Sequence, residues 1–168
     1  YVHLNKLVLK SSNKITSKGH SLLLLLAGVV LISIHSGFIQ YHQIMGNASY
    51  NKVVVGNQTE NSELASNDYP KNIQMANEHL TKAFKYGLYT PASLNRQLAS
   101  VYISQNRLND ARLHFTELIN QLPDDMEARY RYSKLLIRAG DHKGAMEQLE
   151  AAALINQRTK KEKTIKSQ

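Results

Sequence analysis

Apolar and polar positions divide the chain into three stretches with different spacing. From Ser21 to Ile39, nineteen consecutive positions carry no Asp, Glu, Lys or Arg, and most are Leu, Val or Ile. At about 1.5 Å per helical residue, this run approaches the roughly 30 Å of a bilayer's hydrocarbon core. From Tyr41 to Tyr69 no period is sustained, and Asn, Ser and Gly accumulate, as in a linker. From Asn72 onward, apolar and small residues recur at helical spacing, which predicts helices at 72–87, 92–104, 108–121, 126–139 and 142–156.

The first run is read as a membrane-spanning helix over 21–40. A signal peptide has an apolar region of roughly 7–15 residues closed by a small-x-small site. Here the run continues into the bulky "HSGFIQYHQIM", and the first small pair, Gly46 and Ala48, lies well beyond it. Lys6, Lys10, Lys14 and Lys18 precede the run, whereas Lys52 is the sole Lys or Arg between Gln40 and Glu60. Positive charge stays on the cytoplasmic side, so residues 1–20 are expected in the cytoplasm and the remainder outside it. The four lysines are read as a topogenic tail, with a short basic helix on an anionic lipid surface as the alternative. Tyr1 in place of a Met is read as a sign of processing or truncation.

The helical stretch repeats itself. Leu98, Ala99, Tyr102, Ala111, Phe115 and Leu118 are followed 34 positions later by Tyr132, Ser133, Leu136, Ala145, Leu149 and Ala152. Each pair keeps its size class or apolar character, and Pro91 and Pro123 mark the ends of the first unit. Small residues at Ala99, Ala111, Ala145 and Ala152 allow close helix approach, while Tyr102, Phe115, Leu136 and Leu149 fill the layer between helices. Gly140 suits a left-handed turn, and Asp141 is placed to accept from the free amides opening the next helix.

This pattern resembles the tetratricopeptide repeat family, whose unit is a pair of antiparallel helices. The first full unit matches at Leu98-Ala99, Tyr102, Ala111, Phe115 and Pro123, and departs at Leu118, where the family has Ala. The second matches at Ser133, Leu136, Gly140, Ala145, Leu149 and Ala152, and Gln157 stands where a closing proline is expected. Ahead of them, Ala76, Leu80 and Ala83 carry the signature of a second helix whose first helix is absent from the pattern. The expected fold is therefore all-α: one transmembrane helix and a short α-solenoid of about two and a half repeats. The expected organisation is a basic segment (1–20), the span (21–40), a linker (41–70), the repeat domain (71–157) and a basic tail (158–168). So short an array needs a covered end, and the Val53-Val54-Val55 patch, self-association or a membrane partner are the candidates.

The resemblance also implies a concave protein-binding surface lined by Arg96, Ser100, Ile103, Tyr130, Lys134, Ile137 and Arg138. Its cations suit an acidic or carboxylate-terminated peptide. The asparagine with which some members grip a terminal carboxylate is missing.

Charge and composition narrow the classes. The net charge of +8 divides into +4 before the span, −2 in the linker, +2 in the repeats and +4 in the tail, so it does not describe a nucleic-acid groove. With no cysteine in the chain, disulfides and thiolate chemistry are excluded. No phosphate-binding glycine loop, Gly-x-Ser-x-Gly or His-Glu-x-x-His occurs, and no enzyme and no cofactor are expected. His79, His114 and His142 read as surface residues. His35, inside the apolar run, is the one position where a pigment or metal is conceivable, and a packing role is expected there. The sequons at Asn47 and Asn57 carry weight only in a eukaryotic secretory setting. The role these readings favour is an anchored scaffold in a bacterial inner membrane, with a periplasmic repeat domain. It would serve integral-membrane subunits as an accessory subunit or assembly factor. A pigment-bearing subunit using His35 and a passive stabiliser with an empty groove are the alternatives.

Overall fold

The computed structural model describes residues 10–11, 14–15, 17–56 and 62–166. The chain forms two compact units, Tyr1–Tyr41 and His42–Gln168. Among the described residues there are six helices: α1 (Ser17–Gly56), α2 (Ser62–Tyr86), α3 (Ala92–Ser104), α4 (Leu108–Gln121), α5 (Met126–Arg138) and α6 (His142–Lys166). The only extended pairing described is a two-residue antiparallel pair, β1 (Lys10–Ser11) with β2 (Lys14–Ile15). Lys10 and Lys14 therefore lie in that pairing and not in a basic helix; Lys6 is outside the described residues.

The first unit contains the early part of α1. That helix is long and apolar enough to cross a membrane, and no residue of its most apolar window is buried. A membrane span and a signal sequence both fit such a helix.

The second unit is built on helix pairs. The predicted limits of α3 and α4 agree with the structure, and α5 ends one residue early. Each junction has local cause. Asn106 (φ 57°) and Gly140 (φ +80°) both take the left-handed conformation, 34 residues apart. The chain turns identically after each: Arg107 N donates to Tyr102 O at 2.8 Å, and Asp141 N to Leu136 O at 2.9 Å. Asp125 Oδ1 accepts from Ala128 N at 2.9 Å at the start of α5, and Asp141 Oδ1 accepts from Gly144 N at 2.9 Å at the start of α6. The repeat thus extends from side-chain pattern to backbone hydrogen bonding.

The core runs from Val53 through Ala76, Leu80 and Ala83 on α2, Leu98, Ala99 and Tyr102 on α3, and Phe115 and Leu118 on α4, to Leu135, Leu136 and Ala145. Ala99 and Ala111 are fully buried, and Phe115 stacks on Tyr132 with ring centroids 5.5 Å apart. Apolar burial of this kind is what holds short helices in place, since helices of 13 or 14 residues are marginal alone.

Three expectations change. The segment 41–56 is helical and not a linker, because His42, Gly46, Ser49 and Val53 fall on one buried face against α2. Val53 is accordingly a helical core residue, not a strand or plug. The helix expected from 72 begins at Ser62 and passes through Pro70, whose missing amide costs one helical hydrogen bond. Tyr69 packs against the core, which offsets that loss. Finally, α6 continues to Lys166, so most of the expected basic tail is helix. The face at positions 42, 46, 49 and 53 supplies the first helix that the pattern ahead of Ala76 lacked.

Candidate functional site

Ser100 and Ile103 on α3, Phe115 on α4, and Arg131, Lys134, Leu135 and Arg138 on α5 line a groove of about 360 Å³. Its floor is apolar because Phe115 and Leu135 are core residues, each 1% exposed. Its rim is cationic because Arg131, Lys134 and Arg138 recur at three- and four-residue intervals along α5, which places them on one side of a helix. Their charges are lightly held. Arg131 Nε donates to Glu127 Oε1 at 2.6 Å between half-exposed side chains, Arg138 donates to Asn106 Oδ1 at 3.3 Å, and the Lys134 ammonium sits 4.4 Å from the centre of the Tyr130 ring. Exposed pairs of this type contribute at most about 1 kcal/mol, so an incoming anion can displace them.

A second depression of about 250 Å³ adjoins the first, sharing Ser100 and Arg131, and is lined by Tyr50, Val53 and Val54 of α1 with Ile73 of α2. The distal part of α1 therefore forms one wall of the concave face.

Of the seven positions taken from the family pattern, Ser100, Ile103, Lys134 and Arg138 converge on the groove. Arg96 is turned to the α3–α5 junction, where it pairs with the Asp125 carboxylate. Tyr130 lines a different depression with Met126, Glu127, Ala152, Ala153 and Asn156, and Ile137 is half-exposed. Arg131 escaped the pattern-based reading although it lines both adjoining depressions; its spacing, three residues before Lys134, is the signal that marks it.

Asp125 is both a cap and a tether. Partial burial pushes its carboxyl upward, but the Ala128 amide, the Arg96 guanidinium and the Glu127 amide together outweigh that and hold its pKa below the ordinary value.

The histidines are placed differently from expectation. His114 is buried, with its Nδ1 2.8 Å from Asn95 Oδ1 and its ring stacked on Tyr102 and edge-on to Phe84. Burial depresses its pKa, with Asp110 pulling weakly the other way. It is a core histidine because α2, α3 and α4 close around it. His79 is paired with buried His42, Nδ1 to Nδ1 at 2.8 Å, one ring donating and the other accepting. His142 and His35 are exposed. Among the described residues, no group of three or more His, Cys, Asp or Glu converges as metal ligands do.

A family model described as tetratricopeptide repeat matches residues 102–162, a little over a third of the chain. No curated protein is similar enough to the chain to count as a relative.

Proposed function

We propose that the chain, whose residues 102–162 match a tetratricopeptide repeat model, is a member of that family of protein–protein interaction scaffolds and serves as a membrane-anchored scaffold for an integral-membrane complex. The anchor is the apolar run from Ser21 to Ile39, with the lysine-rich side in the cytoplasm of a bacterial inner membrane and the repeats outside it. The groove receives an acidic segment of a membrane subunit, as an accessory subunit or assembly factor. The observation that carries this reading is the groove of about 360 Å³, in which an apolar floor of Phe115 and Leu135 is rimmed by Arg131, Lys134 and Arg138. Anchoring confines both partners to one membrane and raises their effective concentration, so a modest groove suffices.

The test is affinity capture from detergent-solubilised native membranes, comparing the wild type with Lys134→Glu/Arg138→Glu. Both side chains are on the groove rim, so the variant is expected to keep its melting temperature. It should lose a stoichiometric set of membrane subunits that the wild type retains. Undiminished recovery would remove the groove from the interaction.

A further inference from the structure

The two ends of the repeat array are finished differently. At the beginning, His42, Ser49 and Val53 of α1 are buried against α2. At the end, α5 and α6 present a face that the repeat itself identifies as a helix-docking surface. Phe115 is 1% exposed beneath α5, whereas Leu149, its equivalent 34 residues later, is 39% exposed. Leu118 is fully buried, and its equivalent Ala152 lines an open depression of about 450 Å³ with Met126, Tyr130, Ala153 and Asn156. Met146, one turn before Leu149 or Glu150, is 61% exposed on the same side. Among the described residues, the surface that α5 covers in one repeat is thus reproduced, uncovered, in the next.

We propose that this face is an isologous dimer interface, in which α6 of one copy packs antiparallel on α6 of a second copy, crossing at Ala153. Three features of α6 select a second copy as the occupant. Met146, Leu149, Ala153 and Gln157 follow one another at three- and four-residue steps, giving a continuous stripe whose centre is small enough for close approach. The helix is 25 residues long against 13 for α5, so at about 1.5 Å per residue it outruns its neighbour by nearly 20 Å and carries lysines beyond it. Its charge is also polarised. Lys143, Glu147 and Glu150 before Ala153 carry a net −1, whereas Arg158, Lys160, Lys161, Glu162, Lys163 and Lys166 after it carry +4. An antiparallel crossing at Ala153 sets Met146–Glu150 of each copy beside Asn156–Lys160 of the other, so acidic and basic segments meet twice; a parallel one sets like charges together. Self-complementarity about a two-fold axis is what a closed dimer requires.

The chain has no cysteine, which makes single-cysteine crosslinking clean. The full-length protein is purified in mild detergent, its mass measured by light scattering, and Ala153→Cys and Asn156→Cys are oxidised beside Leu113→Cys on the exposed side of α4. The expected result is a dimer that crosslinks at Ala153→Cys and at neither Asn156→Cys, whose two copies would lie about 9 Å apart along the axis, nor Leu113→Cys. Met146→Glu/Leu149→Glu should yield monomers with an unchanged helical circular dichroism spectrum and a melting temperature that no longer depends on protein concentration. Glu147→Lys and Lys160→Glu should each raise the dissociation constant by about tenfold, and their combination should restore it, because Glu147 lies within one residue of the position facing Lys160 of the other copy and the swapped pair forms between copies. A monomeric wild type, association that survives Met146→Glu/Leu149→Glu, or crosslinking of Ala153→Cys in native membranes to a different protein would each overturn the proposal.

Discussion

The approach of α1 to α2 at Gly46 can be tested by adding a single carbon. A Cβ built on Gly46 would stand 2.6 Å from Leu80 Cδ2, 2.8 Å from Leu80 Cγ and 3.1 Å from the Leu80 backbone nitrogen. Carbon atoms pack at about 3.5–4.0 Å, so Gly46→Ala forces a displacement of roughly 1 Å. Leu80 has no exposed surface into which to move. Overpacking of this kind costs about 1–3 kcal/mol, while the alanine regains about 1 kcal/mol of helix propensity. The net expectation is a loss of about 1 kcal/mol, or roughly 3–5 °C in the melting temperature of the full chain in detergent, followed by circular dichroism. A double-mutant cycle removes the ambiguity of a small net effect. Leu80→Ala alone should cost about 2–5 kcal/mol, and Gly46→Ala/Leu80→Ala should be less destabilised than the sum by at least about 1 kcal/mol, since the obstacle has gone. If Gly46→Ala instead raises the melting temperature and is additive with Leu80→Ala, α1 does not meet α2 at this position, and the distal part of α1 is not the first helix of the array.

Other expectations follow from single contacts. Asp125→Ala, which loses both the Ala128 cap and the Arg96 pair, should cost about 2 kcal/mol in chemical denaturation, against less than about 1 kcal/mol for Arg96→Ala, whose guanidinium is a third exposed. Because the folded Asp125 carboxyl titrates below its ordinary value of 3.8, its contribution is present above that pH and is lost as pH falls through the depressed folded value. His114 titrates below its ordinary value of 6.5 and is neutral in the folded core, so stability should hold above pH 6.5 and decline as pH drops below it and through the folded value. His114→Gln should flatten that part of a melting-temperature profile. At Gly140, where φ is +80° and space around a Cβ is open, Ala should cost about 1 kcal/mol through the backbone alone. Asn should cost less, since Asn106 already holds the equivalent turn at φ 57°.

The helices α3 to α5, and the start of α6, are legible because each junction carries its own chemistry: Pro91, Asn106, the Pro123–Asp125 turn, and Gly140 with Asp141. The 34-residue spacing then reaches beyond helix limits to the paired left-handed turns. The face of α1 beyond His42 was not legible for a physical reason. Its buried positions are His42, Gly46, Ser49 and Val53, of which only Val53 is a large apolar residue. A face that packs by closeness has no hydrophobic period to detect; its trace is a small residue, Gly46, opposite a large buried one, Leu80. The basic end of α6 was hidden differently, since a lysine-rich stretch has the composition of a solvated tail whether or not it continues a helix. In the groove, the resemblance placed Lys134 and Arg138 but passed over Arg131, because a family pattern marks positions and not the particular side chains that reach a surface. Arg131 becomes visible when charge is followed along the helix instead: residues 131, 134 and 138 share one side of α5, and the same side holds Leu135, whose burial gives the cations an apolar surface to flank. An acidic ligand seated there would meet Tyr50 and Val54 of α1 next, through the depression that shares Ser100 and Arg131. On the proposed reading, the helix whose pattern was least visible in the sequence would set how far along the groove a bound segment extends.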